Sequence, residues 1–186
     1  LTSEANAIKA AFRESKGYGS VYKRLLEKKS KSKNEDEKTE AEYLLGRIEQ
    51  FILSEKSKIK EMQKEDPLRY VKEQKKFVQT FKGTEASSEI ESEYKTLSKD
   101  KEFKSILKAA EIWEQLMKLK DSLKPANAGG SIDPTDPKFF KKNAITLMKM
   151  KALGETLIKK YDTTIFASRA KKMIEELLNS SSEQEK

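Results

Sequence analysis

The sequence predicts an all-α protein of seven to eight helices in antiparallel hairpins, forming a helical bundle or a short superhelix. Three observations carry this. Apolar residues recur at i, i+3, i+4 spacing along most of the chain. Stop and start signals (Gly17, Asp66-Pro67, Gly83-Thr84, Asp136-Pro137) fall between those stripes. No window alternates polar and apolar residues as a half-buried strand would.

In chain order, Ala5, Ile8, Ala11 and Phe12 define helix 1, with Ser3 as N-cap and Gly17 as stop. Ser20 is placed to cap helix 2, whose apolar face is Val21, Tyr22, Leu25 and Leu26. Residues 28–38 (KKSKSKNEDEK) hold no apolar side chain and read as a solvated loop. Helix 3, from about 36 to 65, is striped by Ala41, Leu44, Leu45, Ile48, Phe51, Ile52, Ile59 and Met62. Asp66 then caps helix 4 with Pro67 at its first position, and Val71, Gln74, Val78 and Phe81 run down it. Gly83 stops that helix, and Thr84 caps helix 5, with Ala86, Ile90, Tyr94 and Leu97 inward. Helix 6 begins at Asp100, carries the strongest stripe (Phe103, Ile106, Ala110, Trp113, Leu116) and ends before Pro125. Helix 7 starts at Asp136-Pro137 and holds Phe140, Ala144, Leu147, Met148 and Leu157. Thr164 caps helix 8, with Phe166, Ala167, Ala170, Ile174 and Leu177 inward. Residues 125–136 (PANAGGSIDPTD) form the clearest linker. The expected organisation is therefore a main domain at 1–124, a linker at 125–136 and a C-terminal hairpin at 137–186.

A shift of 80 residues lays one helix junction on another. Phe81-Lys82-Gly83-Thr84 falls on Tyr161-Asp162-Thr163-Thr164, and Ile90, Tyr94 and Leu97 fall on Ala170, Ile174 and Leu177. Such repetition is the mark of stacked helical hairpins, whose apolar faces are completed by neighbours. The segment KKYDTTIFASRAKKMIEEL (159–177) is similar to the closing helix pair of bacterial exported tetratricopeptide-type proteins. The match rests on Lys160, Tyr161, Thr164, Ala167, Ala170, Lys171, Ile174 and Leu177. Asp162 stands where those proteins usually have Pro, and Ile174 where they have Leu. More loosely, FKGTEASSEIESEYKTLSKDKEF (81–103) followed by LKAAEIWEQL resembles helical regions that accompany thioredoxin-like domains in planctomycete-type bacteria. The resemblance implies an exported helical-repeat module, periplasmic or secreted, forming one part of a longer protein. It brings no redox residue with it, because the chain has no Cys.

Composition narrows the chemistry. The 186 residues include no Cys and no His, which removes thiolate nucleophiles, thiolate metal sites, Ser-His-Asp triads and His-ligated metals. No apolar run approaches the ~18 residues of a membrane span. The chain opens at Leu1, as a cropped or processed sequence would, and shows no signal peptide. The net charge of +8 sits mainly in residues 1–33, which carry nine basic and three acidic side chains. A candidate anion patch follows: Arg13, Lys16, Lys23, Arg24, Lys28 and Lys29. Only five cations in the chain are Arg, so bidentate phosphate reading is weakly supplied. Gly17-Tyr18-Gly19-Ser20 lacks the strand and Lys-Ser/Thr of a phosphate loop and reads as a turn. Glu35, Asp36 and Glu37 lack EF-hand spacing and suit a helix N-terminus. Glu111 and Glu114 flank Trp113 but occupy the solvated side of helix 6.

These features point to a non-enzymatic protein-interaction or spacer module, with Tyr18 and Phe139 as candidate exposed anchors for a protein partner. No catalytic, cofactor-binding or metal-binding residue is assigned. The alternative is an anion-binding module for nucleic acid or acidic polymer, acting through the basic N-terminal helices. A carboxylate- or lysine-based enzyme is the reading the sequence favours least.

Overall fold

A computed structural model describes residues 3–14, 17–127 and 129–178, which contain eight α-helices and no strand. They are α1 (Ser3–Glu14), α2 (Tyr18–Lys31), α3 (Glu35–Glu65), α4 (Pro67–Thr80), α5 (Glu85–Leu97), α6 (Lys101–Asp121), α7 (Pro137–Lys160) and α8 (Ile165–Leu178). The chain forms two compact units, Leu1–Asp100 and Lys101–Lys186. This division differs from the boundary expected at 124: α6 groups with the helices that follow it.

In the first unit, α2 and α3 form an antiparallel pair. Tyr22 Oη donates to Glu49 Oε1 (3.1 Å) and Lys29 Nζ to Glu42 Oε1 (2.7 Å), so position rises on one helix as it falls on the other. The expected loop at 28–38 is far shorter than its composition suggested. α2 continues to Lys31, and α3 starts at Glu35 because Asn34 Oδ1 accepts from Asp36 N (2.9 Å) and Glu37 N (3.4 Å). Ser32 Oγ also donates to Glu37 Oε2 at 2.7 Å. A run without apolar residues can still be helical where caps and cross-helix ion pairs satisfy it. Ser20 is not a cap. Its hydroxyl donates back to Gly17 O within the first turn of α2.

Four rings tie these helices together. Tyr18 lies 5.4 Å from Phe51 and 5.1 Å from Phe81, centroid to centroid, while Phe81 is also 5.7 Å from Phe51 and 4.6 Å from Phe77. The cluster thus joins α2, α3, α4 and the α4–α5 turn, with tilted and edge-on geometries that rings favour. The turn itself needs Gly83, whose φ of 93° suits a residue without a Cβ. α2 presses on the same turn at Gly19, where an added Cβ would overlap the carbonyl oxygen of Lys82.

In the second unit, α6 packs on both α7 and α8. Trp113 meets Phe166 (6.3 Å), and Leu116, Leu147, Met150, Met173 and Leu177 enclose a void of only about 10 Å³. That burial is why α6 belongs here. Its C-terminal exit is clasped by Asn143 of α7, buried like the neighbouring Phe139. The Asn143 amide accepts from Lys124 N (2.9 Å) and donates to Lys124 O (2.8 Å) and Phe139 O (2.9 Å). Lys142 Nζ donates to Pro125 O at 2.9 Å, so the first residues of the expected linker are tied to α7.

The two junctions related by 80 residues share one hydrogen-bond pattern. Phe81 N donates to Phe77 O, Thr84 N and Oγ1 both donate to Phe81 O, and Thr84 Oγ1 accepts from Ser87 N. In the second unit Tyr161, Leu157, Thr164 and Ala167 take the same four roles.

Two outcomes follow for the first unit. Gly19→Ala should destabilise it by more than about 2 kcal/mol, since backbone cannot yield as a side chain can; urea unfolding measures this, and an unchanged midpoint would remove the close contact. Burial, helped by the charge of Glu55, pushes the Tyr18 phenol from 10.0 up to about 12. With the folded pKa above the unfolded one, its contribution to stability is intact below pH 10 and is lost between pH 10 and 12. Tyr18→Phe should therefore lose less stability than the parent across that window in parallel melts.

Candidate functional site

The sequence-derived sites come apart in the structure. Tyr18 and Phe139 are not exposed anchors; they are 1% and 0% exposed. Tyr18 is held in the ring cluster, and Phe139 packs edge-on against Phe140 at 5.6 Å. An aromatic beside a helix start signal is well placed to close a core, and both residues do so. The anion patch is divided. Lys29 pairs with Glu42 (2.7 Å) and Lys28 with Glu37 (3.7 Å), and the Lys29 contact holds the Glu42 carboxyl below its ordinary range. Arg13, Lys23 and Arg24 are exposed, and the Lys23 side chain lies beside Gly83 at the α4–α5 turn. Lys16 lies outside the described residues.

The acidic start of α3 is absorbed locally. Glu37 takes Ser32 and Lys28, while Glu35 pairs with Lys38 at 2.6 Å. Among the described residues no group of three or more carboxylates is arranged to hold a metal ion. Glu114 lies 3.9 Å from Lys118 on the exposed side of α6, away from any pocket-lining role beside Trp113.

A groove of about 950 Å³ lies in the first unit, with walls from α3 and α5 and a floor that includes α4. Ile59, Tyr70, Ile90 and Leu97 give it apolar surface. Lys56 and Lys60 stand on the α3 wall, Glu89 and Glu93 on the α5 wall. Lys56 Nζ and Glu89 Oε2 bridge the walls at 2.6 Å. In the floor, Gln74 is 1% exposed and its Nε2 donates to Tyr70 Oη at 2.8 Å. Its Oε1 has no hydrogen-bond partner. Burial and then the charge of Glu93 raise the Tyr70 pKa, while the Gln74 hydrogen bond opposes them.

The 80-residue correspondence gives this groove a built-in comparison. Counting 80 residues on from Tyr70, Gln74 and Glu93 reaches Met150, Gly154 and Met173. In the second unit those three are buried, and Gly154 admits Ile174 against its Cα, where a Cβ would overlap the Ile174 side chain. There, α6 closes on α8. In the first unit two of the matching positions, Gln74 and Glu93, are polar, and the space between α3 and α5 stays open.

A second hollow of about 540 Å³ lies between α6 and α7, lined by Leu119, Leu153, Ala152 and Lys149. It lacks a buried polar group, and its neighbours Ile145 and Met148 are 68% and 66% exposed. Sequence reading placed Gln74 in the inward stripe of α4 but did not connect it to a site. Two signals pointed there: a glutamine in an apolar register, and a serine-rich α5 (EASSEIESE) with little to pack.

Neither a family model nor a curated protein nor a solved structure matches this chain.

A buried amide oxygen without a partner costs about 1–3 kcal/mol. Gln74→Met, similar in volume, should therefore raise stability by about 1 kcal/mol in urea unfolding. A loss of that size would mean the oxygen is satisfied in solution.

Proposed function

We propose that this chain is a non-enzymatic helical interaction module and that its recognition element is the α3–α4–α5 groove. The observation that carries the reading is the open space of about 950 Å³ between two helices whose counterparts in the second unit close on each other. Open apolar surface costs stability where packing could remove it, and pockets of this size are where proteins hold ligands or partner segments. An orphaned polar atom beneath the same surface adds to that cost. The resemblance at 159–177 supports the same kind of role, that of a helical-repeat module within a longer exported bacterial protein.

Anion binding is the weaker reading. Two of its six cations are engaged by carboxylates of α3, and a further one contacts the α4–α5 turn. What supports an interaction role over an enzymatic one is the character of the groove walls. Their acids and lysines are at the rim, two of them already paired, rather than converging on one buried point.

The groove can be blocked without touching the core, since Ser92 lines it and is exposed. A designed amphipathic peptide with a leucine stripe serves as probe in an NMR titration of the full chain. Shift changes should concentrate at 56–63 and 88–97, and Ser92→Trp should weaken binding by about tenfold with little change in melting temperature. Changes centred on Ile145 and Met148 instead would move the recognition surface to α7 and overturn the reading.

A further inference from the structure

We propose that the groove takes an α-helix of two to three turns bearing an apolar stripe with acidic residues on one flank and basic residues on the other. The proposal rests on the groove being a docking site, as argued above.

Size comes first. The α5 wall runs from Ser88 to Leu97, which at a rise of 1.5 Å per residue is roughly 14 Å. A helix about 10 Å across and of that length occupies roughly 1,100 Å³, close to the 950 Å³ available. An extended strand would leave most of that width empty.

The walls then set the charge pattern. The α3 wall is cationic at Lys56 and Lys60, and the α5 wall is anionic at Glu89 and Glu93. Lys56 and Glu89 neutralise each other across the gap at 2.6 Å, and an occupant spanning the whole groove displaces this solvent-accessible pair. One turn further along each helix, Lys60 and Glu93 flank the opening with opposite signs. An occupant with apolar residues toward Ile59, Ile90 and Leu97 would present one flank to each wall. A flank carrying Glu would meet Lys60, and a flank carrying Lys would meet Glu93, much as flanking charges select partners in coiled coils. Reversing the direction of the helix exchanges its flanks, so for any one mixed helix the pattern also selects the direction in which it lies.

The test uses three designed helical peptides of about 18 residues, long enough to hold some helix alone. They share one leucine stripe and differ in their flanks: one acidic and one basic, both acidic, or both basic. Titration calorimetry against the full chain should rank the mixed peptide about 3–10-fold tighter than either other, the range expected of rim charges. Lys60→Glu makes both walls anionic and should move the preference to the doubly basic peptide. Glu93→Lys makes both cationic and should move it to the doubly acidic one. Both positions are exposed, and a melt of each variant confirms that it folds. Peptides that bind with the same ranking to all three proteins would overturn the charge assignment while leaving the groove as a docking site. A preference for the doubly acidic peptide throughout would reflect only the net charge of +8. Binding of no peptide to any protein would overturn the docking site itself.

Discussion

The first unit depends on Phe81. Its ring is 1% exposed and touches three other rings, each delivered by a different part of the chain. The residue also sits where α4 ends, so its backbone carbonyl accepts both the amide and the hydroxyl of Thr84. One residue therefore fixes a helix end, a turn and a core at once. The start of α5 follows from that turn, where Thr84 caps the helix.

The second unit shows what the same junction does with different side chains. Tyr161 replaces Phe81, and the four hydrogen bonds are preserved. Above the turn, however, Met150, Gly154 and Met173 allow α8 to approach α6, and the space that is a groove in one unit is core in the other. The turn is common to both units, so the difference lies in the side chains around it, Gly154 and Ile174 among them. Backbone geometry sets where the helices start, and side-chain volume and polarity decide whether they meet.

Much of this was legible in the chain. Asp66-Pro67, Asp136-Pro137, Gly83-Thr84 and Thr164 marked helix limits because capping is a local matter of one side chain and the next few amides. The run at 28–38 has no apolar stripe to mark its helices; its break is confined to 32–34 by the Asn34 cap and the Ser32–Glu37 bond, with Lys29 pairing across to Glu42. Tyr18 and Phe139 were misplaced for a related reason: periodicity shows that a ring is on some face, not how many neighbours converge on it. The grouping of α6 with α7 and α8 depended on Trp113 finding Phe166, a pairing across more than fifty residues that no local pattern encodes. The groove was least legible of all. It is made of an absence of packing between α3 and α5, and stripes predict contacts rather than gaps.

The clasp at Asn143 has a consequence for how the second unit tolerates change. The side-chain amide accepts from the backbone N–H of Lys124 and donates to its carbonyl, as a neighbouring strand would, and Asp136 separately caps α7 through Lys138 N. The path between these fixed ends is thus closed before its middle begins. Lengthening it adds only the slowly growing entropy of a longer loop, about 0.6 kcal/mol per doubling. The stretch from Gly129 to Ser131 is therefore where evolution or an engineer could splice in an epitope, a tag or a whole domain at little cost to α6, α7 and α8.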